Sequence, residues 1–543
     1  MQRDETKIDR RTLGKLVGSA SIAGIAGCSG SSDPGTSEPS DPTQTTEPQR
    51  TTADPSQLTQ GGELGFFQSE IAPSLDPHFT RGFGTLEMVI GYDQLFTYDQ
   101  DLEWRHDLAT DINIPDDTTY VFPLREGVTF HDGSEWNAEV AKWNFDRMRS
   151  DYSDVSLGGI DEVEASGDME LTIHLEEPFA PFLDDLNSIA YFVSRAALEG
   201  EDDSWMQKNP VGTGPFVFDS WNTQDNVLTF VANDDYWRTD DQGNQLPYLD
   251  SWQFRAVPEP STMVQAYQDE GNYLHSIPAD SLDSLRESSD HEVANSLGKS
   301  NTIDFFAMNT DEEPFDDPLV REAVYYAIDN EAIRGFTSAL QDLTGPLPDA
   351  NWGSNNELEP EYDPERARSL LEEAGRPDGF DFTVKVWNSQ PWRRQVTTVA
   401  QDQLSQVGIN AEIEVLEVAT VLEHVNNGNF QMYNGHWGGG GALDPYGNLN
   451  IMFHSEGTYN TMTNYTDPEI DRLLDEAVVT PDREERAEKY KQVEELIFNA
   501  HPMVWYGAAK IYVSHFDEVN GVVPVSPTGY FPTPSTVWID QDE

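Results

Sequence analysis

The stretch from Phe382 to Leu416 constrains the fold more than any other part of this chain. Phe382–Trp387 reads as a strand, Arg393–Val407 as a helix and Ala411–Leu416 as a second strand. That order is a β–α–β unit, in which the helix carries the chain back so that both strands run parallel. Strands are also expected at Leu64–Phe67 and at Leu171–Leu175, the latter alternating with period two. Asn137–Arg149 reads as a helix, with Ala138, Ala141, Phe145 and Met148 on one stripe at spacings of three and four. Asp363 is placed to cap a helix over Pro364–Ala374 that stops at Gly375. Asp467 and Asp482 hold the same position before Pro468–Val479 and Arg483–Ala500. The fold class is therefore mixed α/β, and no internal repeat of solenoid period is visible.

Charge decides what such a fold can live in. Acidic residues number 98 and basic ones 32, a formal net charge of −66. Disorder would require few aromatics, yet these make up 11% of the chain and include 13 Trp. The charge therefore belongs on the surface of a folded body. Only 9 of the basic residues are Lys, so positive charge on long aliphatic stems is scarce. Self-repulsion of this size destabilises a compact state in dilute buffer. At molar salt the Debye length shrinks to roughly 3 Å and the repulsion is screened. The composition reads as halophilic, of the haloarchaeal kind. It also excludes nucleic acid as a partner, because phosphates need a basic footprint.

The N-terminus reads as an export signal. Arg10 and Arg11 precede a short, mildly apolar stretch from Leu16 to Ala26, and small residues lead to Cys28, the single cysteine. Paired arginines with a Gly- and Ser-containing apolar region point to the twin-arginine route. The Ile25-Ala26-Gly27-Cys28 ending resembles a lipobox, which makes residues 1–27 a signal peptide and Cys28 the lipidation site. Residues 28–60 then form a lipid-anchored disordered tether rich in Ser, Thr, Pro, Asp and Glu, with a mean reach of roughly 30 Å. No later run of about 18 apolar residues appears, so the membrane is met through the lipid anchor only. The expected location is the cell surface, on the outer face of the cytoplasmic membrane.

A search for catalytic chemistry returns little. No histidine pair stands at i, i+4 on a helix, and neither a Walker loop nor a G-x-S-x-G elbow is present. Gly438–Gly441 is a glycine run without the strand–loop–helix frame or the lysine of a phosphate cradle, so a loop of close backbone approach is expected instead. No cofactor and no metal site are indicated. One enzymatic alternative is retained: an exported carboxylate-dependent hydrolase of peptides or glycosides, using a pair such as Asp444 and Glu70.

Six stretches carry a family resemblance. They are Pro73–His78, Tyr92–Asp99, Phe122–Ser134 (which holds Arg125, Glu126, Gly127 and His131), Pro210–Phe216, Asn233–Trp237, and Pro314–Asp317 leading into Val320–Ala323 and Ala327–Asp329. In order and spacing they resemble the peptide/nickel-type family (family 5) of ABC-transporter solute-binding proteins. The resemblance implies a two-lobed periplasmic-binding-protein-like fold with a hinge and an additional small domain on the first lobe. The first lobe would be built from residues 61–95, 191–301 and 505–543, the extra domain from 96–190, and the second lobe from 302–504. It further implies a monomeric, non-enzymatic receptor that closes on a small-molecule or peptide ligand, with ABC permease and ATPase subunits as partners.

Most motif residues are expected to serve folding, while two regions compete for the ligand. One is Tyr433–Trp437 through Asp444. Relatives that bind peptides carry a carboxylate three residues after the Trp, and here that place is Gly440, with Asp444 seven after Trp437. The other is Trp387–Arg394, in which Trp387, Asn388 and Trp392 offer aromatic faces and an amide to a planar polar ligand. From the first lobe Phe67 and Arg81, with Gln68 and His78, follow the first strand. Peptides are the first ligand class, oligosaccharides the second. A nickel chelate is third, resting on His436 alone.

Overall fold

The computed structural model describes residues 60–79, 86–99, 103–150, 152–153, 159–295, 302–337, 340–349, 351–388, 390–438, 443–510, 512–522 and 534–540. Cys28, Arg81 and Gly440 lie outside them. Among the described residues no helix is long and apolar enough to cross a membrane.

The strand Glu63–Gln68 is buried along almost its whole length, which requires apolar cover on both faces. It sits inside a seven-stranded sheet ordered His291–Asn295, Tyr512–Phe516, Tyr273–Leu274, Glu63–Gln68, Ser251–Ala256, Val227–Ala232, Phe216–Asn222. Its pairing with Ser251–Ala256 is parallel, setting Leu64 beside Trp252 and Phe66 beside Phe254. On one face Phe66 stacks on Tyr273 with ring centroids 4.8 Å apart. On the other, Phe67 packs against Tyr267 of the helix Pro260–Glu270.

A separate four-stranded antiparallel sheet runs Asn113–Asp116, Thr119–Pro123, Glu170–Leu175, Ile160–Gly167, covered by the helix Ala138–Met148. The expected cap is present, with Asn137 accepting from the Val140 backbone N–H. The family motifs meet where this unit joins the first sheet. His131 lies against Gly214, its Nε2 3.0 Å from the carbonyl oxygen, and Arg125 donates to the Asp107 carbonyl while its guanidinium covers the Trp237 ring. Gly212 and Gly214 press on the chain at Gly91. A Cβ on Gly214 would stand 2.5 Å from the Gly91 carbonyl carbon, so only glycine fits that approach.

The β–α–β unit forms as read from the sequence, slightly lengthened. Strands Phe380–Trp387 and Ile409–Leu416 pair in parallel along their whole length, and the helix Pro391–Gln406 crosses between them. They form one edge of a six-stranded sheet ordered Leu340–Gln341, Met503–Ala509, Ile303–Met308, Met432–Trp437, Phe380–Trp387, Ile409–Leu416. Helices Pro318–Ala327, Pro364–Glu373 and Pro391–Gln406 bury one face, and helices Tyr446–Phe453, Pro468–Val478 and Arg483–Ala500 the other. The chain passes from the first sheet to this one between Asn295 and Ile303. It returns between Ala509 and Tyr512 rather than at Trp505, because Met503–Ala509 is one continuous strand paired to Ile303–Met308.

Helix Arg483–Ala500 also carries a buried acid. Glu494 accepts from the backbone N–H groups of Leu347 and Asn355, and burial pushes its carboxyl from an ordinary 4.5 up to about 8. Burial and the nearby Asp444 charge likewise hold Asp184 up at about 7. Between their ordinary and raised values these groups keep protons in the folded state that the unfolded chain has released, so stability falls as pH rises through that window. Opposing them, burial lowers His78, His131, His275 and His501 to about 4, and each costs stability as pH falls below 6.5. Thermal melts are expected to gain stability from pH 8 down to about 6.5, with about 2 kcal/mol at most from Glu494, and nothing further below. A melting temperature that climbs from pH 6.5 to 8 would contradict this balance.

Candidate functional site

In sheets with parallel strands, ligands reach the crevice outside the carboxyl ends. In the six-stranded sheet that edge holds Trp387 and Trp437, each the last residue of its strand, and the first turn of the helix Pro391–Gln406. Ile303–Met308 runs antiparallel to its neighbours, so its first residues lie at the same edge.

A buried polar layer underlies this rim. Arg393, in the first helical turn, is wholly buried. Its Nη2 donates to Asp304 Oδ1 at 2.5 Å, and its Nη1 to Asn434 Oδ1, the Gly435 carbonyl and the Tyr506 hydroxyl at 3.1, 3.1 and 3.2 Å. Its Nε donates to Gln390. The rings of Trp387 and Trp392 flank the guanidinium at 5.2 and 4.5 Å. His436 Nδ1 stands 3.2 Å from the same Asp304 oxygen. Burial alone would raise the Asp304 carboxyl, but Arg393 and His436 hold it below its ordinary value. The charge pair is therefore spent internally. What the rim offers outward is the half-buried rings of Trp387 and Trp392, the partly exposed His436, and Asn388, whose amide donates to Glu417 at 2.6 Å.

The structure brings Trp387, Asn388 and Trp392 together at this edge, with Trp437 at the end of a neighbouring strand. Trp437 is half-buried, donates to the Gly447 carbonyl at 3.0 Å and meets the Tyr459 ring at 4.8 Å. Three other expectations are corrected. Tyr433 is a core residue packed edge-on against Phe305 and Phe430. It lies four residues, about 13 Å, down the strand from Trp437. Phe67 is core beneath the helix Pro260–Glu270. Asp444 is fully buried, accepting from Arg486 and Tyr490 at 2.9 Å each and from the Tyr446 backbone N–H. A hydrolytic pair of Asp444 with Glu70 is thus not formed, since Glu70 stands exposed beyond the first sheet's strand. Gln68 donates to Glu87, and His78 Nε2 lies 2.8 Å from the Tyr191 carbonyl oxygen. Among the described residues no group of three His, Cys, Asp or Glu could hold a metal.

Asp304 is the residue that sequence reasoning missed. A lone carboxylate second in the otherwise apolar strand Ile-Asp-Phe-Phe-Ala-Met was the available signal, since burial of such a charge demands a partner.

Known proteins share this architecture. The family model described as bacterial extracellular solute-binding proteins, family 5, middle region, matches residues 103–460. The glutathione-binding protein GsiB of Salmonella typhimurium is 30% identical over 482 residues, spanning 84% of this chain and 91% of that protein. Among solved structures, the periplasmic binding protein DppA of Helicobacter pylori in complex with the peptide STSA is similar with a TM-score of 0.75 and 26% identity, over 90% of this chain and 99% of that one. The oligopeptide-binding protein AppA of Bacillus subtilis, in complex with a nonapeptide, shares the fold at a TM-score of 0.71 and 22% identity, over 89% and 99% of the two chains.

Proposed function

The chain belongs to family 5 of the bacterial extracellular solute-binding proteins, and from that premise we propose that it is the receptor of an ABC importer, binding a peptide-like ligand by lobe closure. The two lobes would be the seven- and six-stranded sheets with their helices, and the four-stranded unit would be the extra domain on the first lobe. The observation that carries the reading is the aromatic and amide rim of Trp387, Asn388 and Trp392 at the ligand edge of the second sheet. Its cation is already paired with Asp304, so the rim favours ligands held by ring stacking and neutral hydrogen bonds. Oligosaccharides remain the second ligand class, supported by the same rings and by glycine at position 440.

Calorimetric titration with tripeptides, glutathione and a disaccharide tests this reading. Saturable heat with the ligand recovered intact is expected, and Trp392→Ala should weaken binding by about 1–3 kcal/mol, the burial of one large ring, without a comparable loss of stability. Turnover of the added compound, or affinity untouched by Trp392→Ala, would sink it. Lipid anchoring at Cys28 after twin-arginine export, and adaptation to molar salt, complete the proposal. The first requires that Cys28→Ser leave the membrane fraction.

A further inference from the structure

A cavity of about 290 Å³ lies between the four-stranded unit and the helices of the six-stranded sheet. Beside it the two bodies touch: the Ala180 backbone N–H donates to the Val478 carbonyl at 2.6 Å, and the Phe179 ring meets Tyr446 edge-on at 5.1 Å. The walls are largely aromatic, with Tyr98, Trp104, Tyr120 and Phe179 on one side and Trp352 on the other. Charge is segregated between them. Glu103, Asp117 and Asp184 belong to the first wall, Arg483 and Arg486 to the second. Asp184 accepts from the Tyr98 hydroxyl and is within electrostatic reach of both arginines. Arg486 is committed to Asp444. Arg483 instead lies over the Trp352 ring at 4.7 Å, and no described carboxylate stands within ion-pair distance of it.

We infer that this cavity is a second ligand site and that it takes a zwitterion of amino-acid size, the ammonium toward Asp184 and the carboxylate toward Arg483. Aromatic faces attract a cation on the acidic side. On the other side an arginine fork matches a carboxylate in two parallel hydrogen bonds. The volume sits at the small end of organic-ligand sites. A molecule spanning both walls would also tie the extra domain to the second lobe. The site is separate from the Trp387–Trp392 rim, and its existence does not depend on what that rim binds.

Titration with three probes tests the inference: L-phenylalanine, which carries both charges, and phenethylamine and phenylacetate, which carry one each. L-phenylalanine is expected to bind at least about tenfold more tightly than either half, the loss of one charge-assisted contact being worth that much. Arg483→Gln should reduce L-phenylalanine to the affinity of phenethylamine, and Asp184→Asn to that of phenylacetate. Arg483 is exposed, so its variant should fold as the wild type does, which circular dichroism would verify. Trp392→Ala should leave L-phenylalanine binding intact. Equal affinities for all three probes, no heat from L-phenylalanine, or loss of its binding in Trp392→Ala would each overturn the assignment.

Discussion

Arg393→Ala is expected to destabilise the second lobe by about 3–5 kcal/mol, the cost of leaving one member of a buried ion pair without its partner. Asp304 is 0% exposed and Arg393 takes up its Oδ1, while its Oδ2 has no hydrogen-bond partner. Removing the guanidinium leaves that carboxylate to His436 and strips donors from Asn434 and the Gly435 carbonyl. The loss is enthalpically local but reaches across two paired strands, Ile303–Met308 and Met432–Trp437. Thermal unfolding followed by near-ultraviolet circular dichroism would register it. The double variant Arg393→Leu with Asp304→Leu separates charge from packing: with both charges gone it should recover much of the loss. A single Arg393→Ala protein that melts with the wild type would show that the pair is hydrated rather than buried.

What the sequence made legible follows from which signals are local. The β–α–β unit was readable because strand and helix periods alternate within 35 residues, and the caps at Asp363, Asp467 and Asp482 each bond backbone N–H groups where expected. The direction of a side chain was not local in the same way. Trp387 and Trp392 could be named as a rim, but that they flank Arg393 depends on Asp304, which is 89 residues distant. Asp444 looked available because its partners Arg486 and Tyr490 lie two helices further on. Tyr433 and Trp437 share one strand face, and only the position of the strand end in the sheet separates core from rim. A boundary at Trp505 falls inside Met503–Ala509 because a strand buried along nearly its whole length carries no mark of which sheet it joins.

Arg147→Met is expected to cost a similar 3–5 kcal/mol, and to do so at the joint between the first sheet and the extra four-stranded unit. Arg147 reaches from the helix Ala138–Met148 to both oxygens of Asp76, at 3.0 and 2.5 Å, and Tyr152 donates to the same carboxylate at 2.9 Å. Burial raises the Asp76 carboxyl, but the Arg147 guanidinium and the His78 backbone N–H, which donates to Oδ1 at 3.0 Å, hold it below its ordinary value. His78 completes the joint. Burial keeps it neutral, its Nδ1 accepts from Arg147 at 2.7 Å, and the proton on Nε2 is left to donate to the Tyr191 carbonyl. Methionine preserves the stem of the side chain and removes the charge together with the donor to His78 Nδ1, so the penalty combines the uncompensated Asp76 with that lost hydrogen bond. Because Asp76 and His78 come from the loop after the first strand and Arg147 from the extra unit, the variant should also loosen one body from the other. Limited proteolysis should then proceed faster than in the wild type, and Asp76→Asn added to Arg147→Met should restore part of the stability. An Arg147→Met protein within about 1 kcal/mol of wild type, with unchanged proteolysis, would mean that the apolar cluster of Met88, Tyr92, Val193 and Met206 holds the joint by itself.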